Sequence, residues 1–259
     1  MTDAVVTGAG RGLGRAIARA LAAEGTRVWL CSENLPELEA TASIIENGGG
    51  AAQVIETDLS SPDACTAFTS RIKREAEKLQ VIVNNAAVWF PTHVQEMSLD
   101  RWSETLAVML TAPFTITRDL LPLLQRNGGS VISVSSRSAI IPFEGEAAYC
   151  AAKFGVEAFT KCLALELGVC NVSVNTITPG FRIKPTSITE EQASSLSVAE
   201  RAEWKDPMEI MPAFVFLTGL RGQVTGHRFN AFELTEALNQ NGRENTLARI
   251  HEFYRDDRA

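Results

Sequence analysis

Several things are scarce in this sequence, and each scarcity excludes something. Positive charge is short: 24 lysines and arginines against 31 acidic residues leave a net charge of −7 over 259 residues. A surface of that sign argues against general binding to nucleic acid or to an anionic membrane. Cysteines are few, and Cys31, Cys65, Cys150, Cys162 and Cys170 form no C-x-x-C pair. Their odd number and scatter through apolar segments read as reduced, mostly buried thiols of a cytoplasmic protein. The histidines, His93, His227 and His251, show no ligand spacing, so no metal site is expected. Long apolar runs are missing as well. Arg, Glu or Lys interrupts every candidate membrane span, and no secretory leader precedes the first strand-like run.

What is present is a core-forming composition, 45% hydrophobic and 21% charged, in a regular alternation. Short β-branched runs at 4–7, 27–31, 52–56, 81–83, 130–135 and 172–177 read as strands. Helical patterns occupy 13–24, 35–46, 62–78, 99–124 and 147–167. In the first of these Leu13, Ile17, Ala20 and Leu21 share a face and Gly25 is the stop; Ser61 is the cap of the third. Strands alternating with helices of this length require right-handed crossovers and a parallel sheet covered on both faces. The expected fold class is therefore α/β, a doubly wound parallel sheet in a single domain over 1–259, without linker or repeat. The rhythm breaks after Pro179. Residues 181–206 are polar and read as a mobile segment over a site. A helix at 207–220, a short strand at 227–230 and a peripheral helical tail at 233–259, divided at Gly242, complete the chain.

Chemistry gathers at the strand ends. Thr7-Gly8-Ala9-Gly10-Arg11-Gly12-Leu13-Gly14 lies between a strand and a helix, the context in which glycines let a backbone approach a pyrophosphate at a helix start. A purely structural glycine turn is the alternative. Tyr149 and Lys153 are four residues apart and share a helix face. An adjacent ammonium favours phenolate and brings a tyrosine, ordinarily near pKa ~10, into range for proton transfer. Ser135-Ser136, Asn84-Asn85-Ala86-Ala87, Asp58-Leu59 and Pro179-Gly180 follow other strands. Five strand ends thus bring small or polar residues to the carboxyl edge, where open α/β sheets hold ligands. Trp89, Phe90 and Phe143 follow those ends and suggest a partly apolar pocket wall, although aromatics there serve equally in packing.

In these motifs the sequence, over residues 4–230, resembles the short-chain dehydrogenase/reductase family. TGAGRGLG at 7–14 is similar to its cofactor turn, and NNAA at 84–87 to its N-N-A-G motif, with Ala87 in place of glycine. YCAAK at 149–153 matches its Y-x-x-x-K pair, and Ser136 stands thirteen residues before Tyr149, at the family's serine offset. The resemblance implies a Rossmann-type fold and reversible hydride transfer between NAD(P) and a carbonyl or secondary alcohol of a small molecule. It implies Ser136, Tyr149 and Lys153 as catalytic residues. Tyr149 would exchange the proton, Lys153 would hold the nicotinamide ribose and lower the tyrosine pKa, and Ser136 would bond the reacting oxygen. The cofactor would contact Gly8, Arg11, Gly12, Leu13, Gly14, Ser32, Glu33, Asp58, Leu59, Asn84 and Ala86, with Tyr149, Lys153, Pro179 and Gly180.

Three departures from the family pattern matter. Met109 stands where the family has an asparagine, and a thioether is no donor and only a weak acceptor. Proton exchange between Lys153 and solvent then needs another route, such as a water on a main-chain carbonyl. Ser32 replaces the aspartate that selects NAD and, with Arg11, favours NADP, whereas Glu33 opposes it. NADP is favoured on balance. Lys184 stands where the family often has threonine, with Thr186 nearby; Arg182 and Lys184 would suit an anionic substrate or else be solvated loop charges. The family often forms dimers or tetramers through the tyrosine-bearing helix, which Lys161, Glu166 and the small residues of 147–168 permit. A non-redox epimerase or dehydratase with retained cofactor, and a lapsed nucleotide-binding regulator, are the alternative readings.

Overall fold

Parallel strands at Thr2–Thr7 (β1), Thr26–Ser32 (β2), Ala51–Glu56 (β3), Leu79–Asn84 (β4), Gly129–Val134 (β5), Val172–Thr178 (β6) and Arg228–Asn230 (β7) build one sheet. Their spatial order is β3-β2-β1-β4-β5-β6-β7. This is seen in a computed structural model that describes residues 1–167, 170–180, 183–184 and 204–253. The order reverses between β1 and β4, which makes their carboxyl ends the switch point of a doubly wound sheet.

Period-two alternation explains why the strands carry apolar residues at nearly every position. Ala4 and Val6 of β1, Val28 and Leu30 of β2, and Val81 and Val83 of β4 face one core. Val5, Trp29, Cys31 and Ile82 face the other. A sheet buried on both faces needs such continuous runs. The first core is closed by helices Gly12–Ala23 (α1) and Leu35–Asn47 (α2), through Ile17 and Leu38. The second is closed by Pro62–Glu75 (α3), Ala112–Asn127 (α5) and Ala147–Glu166 (α6), through Phe68, Ile116 and Leu163. Caps mark the helix starts. Asn34 accepts from the Glu37 amide, Ser61 from Ala64, and Ser98 from Arg101 ahead of Leu99–Leu106 (α4).

The helix expected over 99–124 is interrupted. α4 passes into a π-helical segment at Ala107–Thr111, in which the Ala112 amide bonds the Ala107 carbonyl, before α5 begins. Pro113 explains the break, because it has no N–H to give to the Met109 carbonyl. Contrary to expectation, the combined run Leu99–Asn127 is long and apolar enough, by length and composition, to cross a membrane. Its buried face, with Met109, Ile116, Leu120 and Leu124, packs into the second core.

Two further segments are described in part. Within the described part of the tail, the helix Ala231–Ala248 (α8), kinked at Gly242 with φ 73°, buries Leu234 and Ala237 in contact with Met211–Thr218 (α7). Of the proposed mobile segment 181–206, Ile183 and Lys205 form a parallel bridge. Residues 181–182, 185–203 and 254–259, and with them Arg182 and Thr186, lie outside the described residues.

Asp3 anchors the start of the sheet. Its fully buried carboxylate accepts from Arg27 Nε at 2.6 Å, Trp29 Nε1 at 3.0 Å, and the amides of Glu77 and Lys78 at 2.9 and 3.0 Å. Burial pushes this carboxyl up, but the Arg27 hydrogen bond, the Lys78 amide, the Trp29 indole and the Arg27 charge together hold it below its ordinary value. Asp3→Ala is expected to cost roughly 3–5 kcal/mol, because it strands several buried donors. Urea denaturation at neutral pH checks this. A folded pKa below the unfolded 3.8 stabilises above that pH and is lost as pH falls through the folded value. The difference between wild type and variant therefore narrows in acid below 3.8.

Candidate active site

The glycine turn is pinned to the switch point by its own motif residues. Thr7 Oγ1 accepts from the amides of Asn85 at 3.0 Å and Ala86 at 3.1 Å, while Asn85 Nδ2 donates to the carbonyl of Thr7 at 2.9 Å. The chain turns here with Gly8 at φ 64° and Gly12 at φ 52°, a region that disfavours any residue with a Cβ. A Cβ on Gly14 would lie 2.0 Å from the Gly8 carbonyl oxygen, and one on Gly8 2.9 Å from the Ala86 Cα. The turn is thus packed too closely for side chains, and it leads into α1.

Unlike α2, α3 and α4, α1 has no side-chain cap; Arg11 at its N-cap makes no such bond, and Arg11 and Gly12 are exposed. First-turn amides without a side-chain partner, at the end of a side-chain-free turn, fit the diphosphate of a dinucleotide. Arg15 closes the turn from inside, donating to the Gly10 carbonyl and to Thr41 Oγ1. Leu13 is buried against the first core.

The residues expected around an adenosine half sit at neighbouring strand ends. Ser32 ends β2 and its hydroxyl accepts from the Asn34 amide at 3.2 Å; Glu33 is exposed beside it. Arg11, exposed, faces the half-buried Glu37 at 3.6 Å. Asp58 is exposed and bonds the amide and hydroxyl of Ser60, while Leu59 is buried in the second core. Asn84 is buried inside the sheet, where its Nδ2 reaches Thr117 Oγ1 at 3.3 Å and Ser133 Oγ at 3.4 Å. It braces β4 against α5 and β5. Ala86 sits over Gly8, and Gly180, after Pro179, turns with φ 79° beside the Phe232 ring.

Ser136, Tyr149 and Lys153 meet at the end of β5. Lys153 is buried, and its Nζ donates to the Val134 carbonyl at 2.6 Å; it lies 5.6 Å from the centroid of the Tyr149 ring. Ser136 lies near enough to Tyr149 to favour its ionised form. Its Oγ accepts from the Ser138 amide at 3.1 Å. The expected lowering of the tyrosine pKa is not found. Burial pushes Tyr149 up, Ser136 pulls it down, and the Glu146 charge pushes it up again, for a net rise above 10.0. The cation is weakened as well: burial brings Lys153 down to about 8, and Glu157 acts against that shift. Desolvation is thus the largest cause at both groups, and an attraction between Tyr149 and Lys153 is a cause of neither shift.

Met109 is buried in the second core. The π-helical segment that holds it lies against α6 at Gly155, where a Cβ would come within 2.8 Å of Leu110 Cδ2. The three aromatics after the strand ends all have polar or charged neighbours. Trp89 Nε1 donates to Glu146 at 3.1 Å, the Arg101 guanidinium lies over Phe90, and that of Arg137 over Phe143. Among the described residues no three His, Cys, Asp or Glu side chains gather as a metal cluster. Two residues to which the sequence assigns no role, Glu146 and Glu157, stand close to the site, as does Asn85 of the NNAA motif. The signal for Glu157 was its spacing, one helical turn beyond Lys153 on the face of Tyr149.

Residues 2–196 match the family model for short chain dehydrogenases. A 2,3-dihydro-2,3-dihydroxybenzoate dehydrogenase of Bacillus subtilis is 34% identical over 178 residues, 68% of each chain. Among solved structures, a protein from Beutenbergia cavernae described as an NAD(P)-dependent gluconate 5-dehydrogenase, with NADP bound at low occupancy, superposes with a TM-score of 0.79. It is 28% identical, and the match covers 89% of this chain and 94% of that one. A metagenomic short-chain oxidoreductase in complex with NADP gives a TM-score of 0.71 at 32% identity, over 83% and 90% of the two chains. The chain belongs to the short-chain dehydrogenase family and is an oxidoreductase of that family.

Proposed function

We propose that this chain reversibly transfers a hydride between NADP(H) and the carbonyl or secondary alcohol of a small molecule, within a single catalytic domain. The observation that carries this reading is the convergence of Ser136, Tyr149 and Lys153 at the end of β5, with the glycine turn at the neighbouring switch point. The uncapped start of α1 would hold the diphosphate, and the end of β2 would hold the adenosine ribose. Ser32 in place of an acidic side chain supports NADP over NAD, as do the NADP-bound neighbours. When bound, the nicotinamide supplies or accepts the hydride.

The remaining steps belong to the protein. Ser136 Oγ donates to the substrate oxygen and orients it toward Tyr149. The Tyr149 phenol, kept protonated by burial, delivers its proton to that oxygen in the reductive direction and takes it back in the oxidative one. Lys153, fixed by the Val134 carbonyl, places positive charge beside the phenolate that this transfer leaves. Because Lys153 titrates near 8, reductive kcat/KM is expected to fall as pH rises through about 8. A pH–rate profile measures this, and a plateau persisting to pH ~10 would count against the assignment.

A second reading, nucleotide binding without turnover, rests on Met109, whose thioether replaces an amide. One experiment separates the two: fluorescence titration with NADPH and NADH, followed by a spectrophotometric screen of neutral and acidic carbonyls and alcohols. The proposal expects tighter NADPH binding and coenzyme consumption with at least one substrate. Binding without consumption across the panel supports the second reading.

A further inference from the structure

Behind the Ser136–Tyr149–Lys153 group lies a second polar cluster with no part in the proposed steps. Glu157 is one turn beyond Lys153 on α6, and its side chain is largely buried. Ser135 Oγ donates to its Oε1, and Thr176 Oγ1 donates to its Oε2 at 2.9 Å. Arg228 Nε, from β7, lies 3.4 Å from Oε1. One carboxylate therefore joins α6 to β5, β6 and β7. Its attachment to β5 is at Ser135, between the Val134 carbonyl that receives Lys153 and the proposed catalytic Ser136.

We propose that Glu157 is a positioning residue: it clamps the end of β5 to α6 and acts as the buried counter-charge that keeps Lys153 an ammonium. The inference rests on the reading that Lys153 serves the site in its charged form. Elementary electrostatics motivates it. An ammonium moved out of water tends to lose its proton unless an anion stands near. The ionisable groups around Lys153 are Tyr149 one turn before it, Glu157 one turn after it, and Arg228 beyond Glu157. Tyr149 is kept neutral by burial and Arg228 has the wrong sign, so Glu157 is the group that opposes the desolvation. The carboxylate is itself held by hydrogen bonds from two hydroxyls, with the Arg228 guanidinium within ion-pair range, as a buried anion requires.

The test is a titration of Lys153 in the full-length unliganded protein. The chain has six lysines, so protein labelled at lysine with carbon-13 gives a resolvable spectrum, and loss of one signal in Lys153→Arg assigns it. In wild type the Lys153 midpoint is expected near 8. In Glu157→Gln it is expected to fall by about one pH unit or more, and the alkaline limb of kcat/KM to move down with it. Glu157→Asp, which keeps the charge but withdraws it by one methylene, is expected to give an intermediate midpoint. A merely structural Glu157 would change the melting temperature and leave the midpoint alone. An unchanged midpoint in folded Glu157→Gln overturns the proposal. If that variant does not fold, an unchanged midpoint in Glu157→Asp does so. The titration involves neither coenzyme nor turnover, so its result is independent of whether hydride transfer is found.

Discussion

Tyr149→Phe is expected to lower kcat and kcat/KM together by roughly 10²–10⁴-fold, the range lost when a positioned proton donor is removed. The ring remains, and with it the packing on α6 and the neighbourhood of Lys153, 5.6 Å from the ring centroid. Affinity for NADPH should therefore stay close to wild type, measured by the same fluorescence titration. What disappears is the hydroxyl that the proposal places against the substrate oxygen. Only one other tyrosine exists in the chain, Tyr254. Near-wild-type turnover in Tyr149→Phe would remove this residue from the chemistry.

Gly14→Ala is expected to have the largest effect on the cofactor side. The added Cβ would sit 2.0 Å from the Gly8 carbonyl oxygen and 2.6 Å from Asn85 Nδ2, and neither neighbour is a flexible side-chain end free to retreat. Gly8 belongs to the turn, and Asn85 is bonded to the carbonyl of Thr7. Relief therefore requires α1 to move away from β1. That displaces the helix start proposed to hold the diphosphate. A stability loss of about 3 kcal/mol follows from overpacking of this kind, together with at least a tenfold weaker NADPH affinity. Gly25→Ala is the control. A Cβ there meets nothing within 4 Å and only the positive φ of 78° is strained. It should cost about 1 kcal/mol and leave coenzyme affinity unchanged. Denaturation midpoints and the binding titration together distinguish the two.

Much of the architecture was readable because local signals agreed with one another. β-branched runs, helix caps and the glycine turn recur in the order that a doubly wound sheet demands, and the motif residues fall at its carboxyl edge. Boundaries failed where a distant residue decided them. The helix expected to reach residue 78 ends at Glu75 because the buried Asp3 carboxylate takes the amides of Glu77 and Lys78. The π-helical segment was hidden because its apolar pattern is that of an ordinary helix, and only Pro113 hints at it. The tail is apolar enough to bury Leu234, yet its polar spacing reads as a surface helix.

At the site, the positions of Tyr149 and Lys153 were legible from a four-residue offset, whereas their ionisation was not. The sequence predicts mutual attraction, whereas burial, which only the folded chain reveals, is the largest cause of both shifts. The spacing of Glu157 is legible, whereas its surroundings are not. Its partners Ser135, just after β5, Thr176 of β6 and Arg228 of β7 are distant in sequence and adjacent in the sheet.

The most direct test of hydride transfer follows the hydrogen itself. The purified protein is incubated with NADPH deuterated at both C4 positions and the carbonyl panel, and the products are examined by mass spectrometry. The account predicts a secondary alcohol carrying a single deuterium on its carbinol carbon, formed by wild type and not by Tyr149→Phe at matched times. NADPH that binds tightly while no panel compound acquires the label would contradict it.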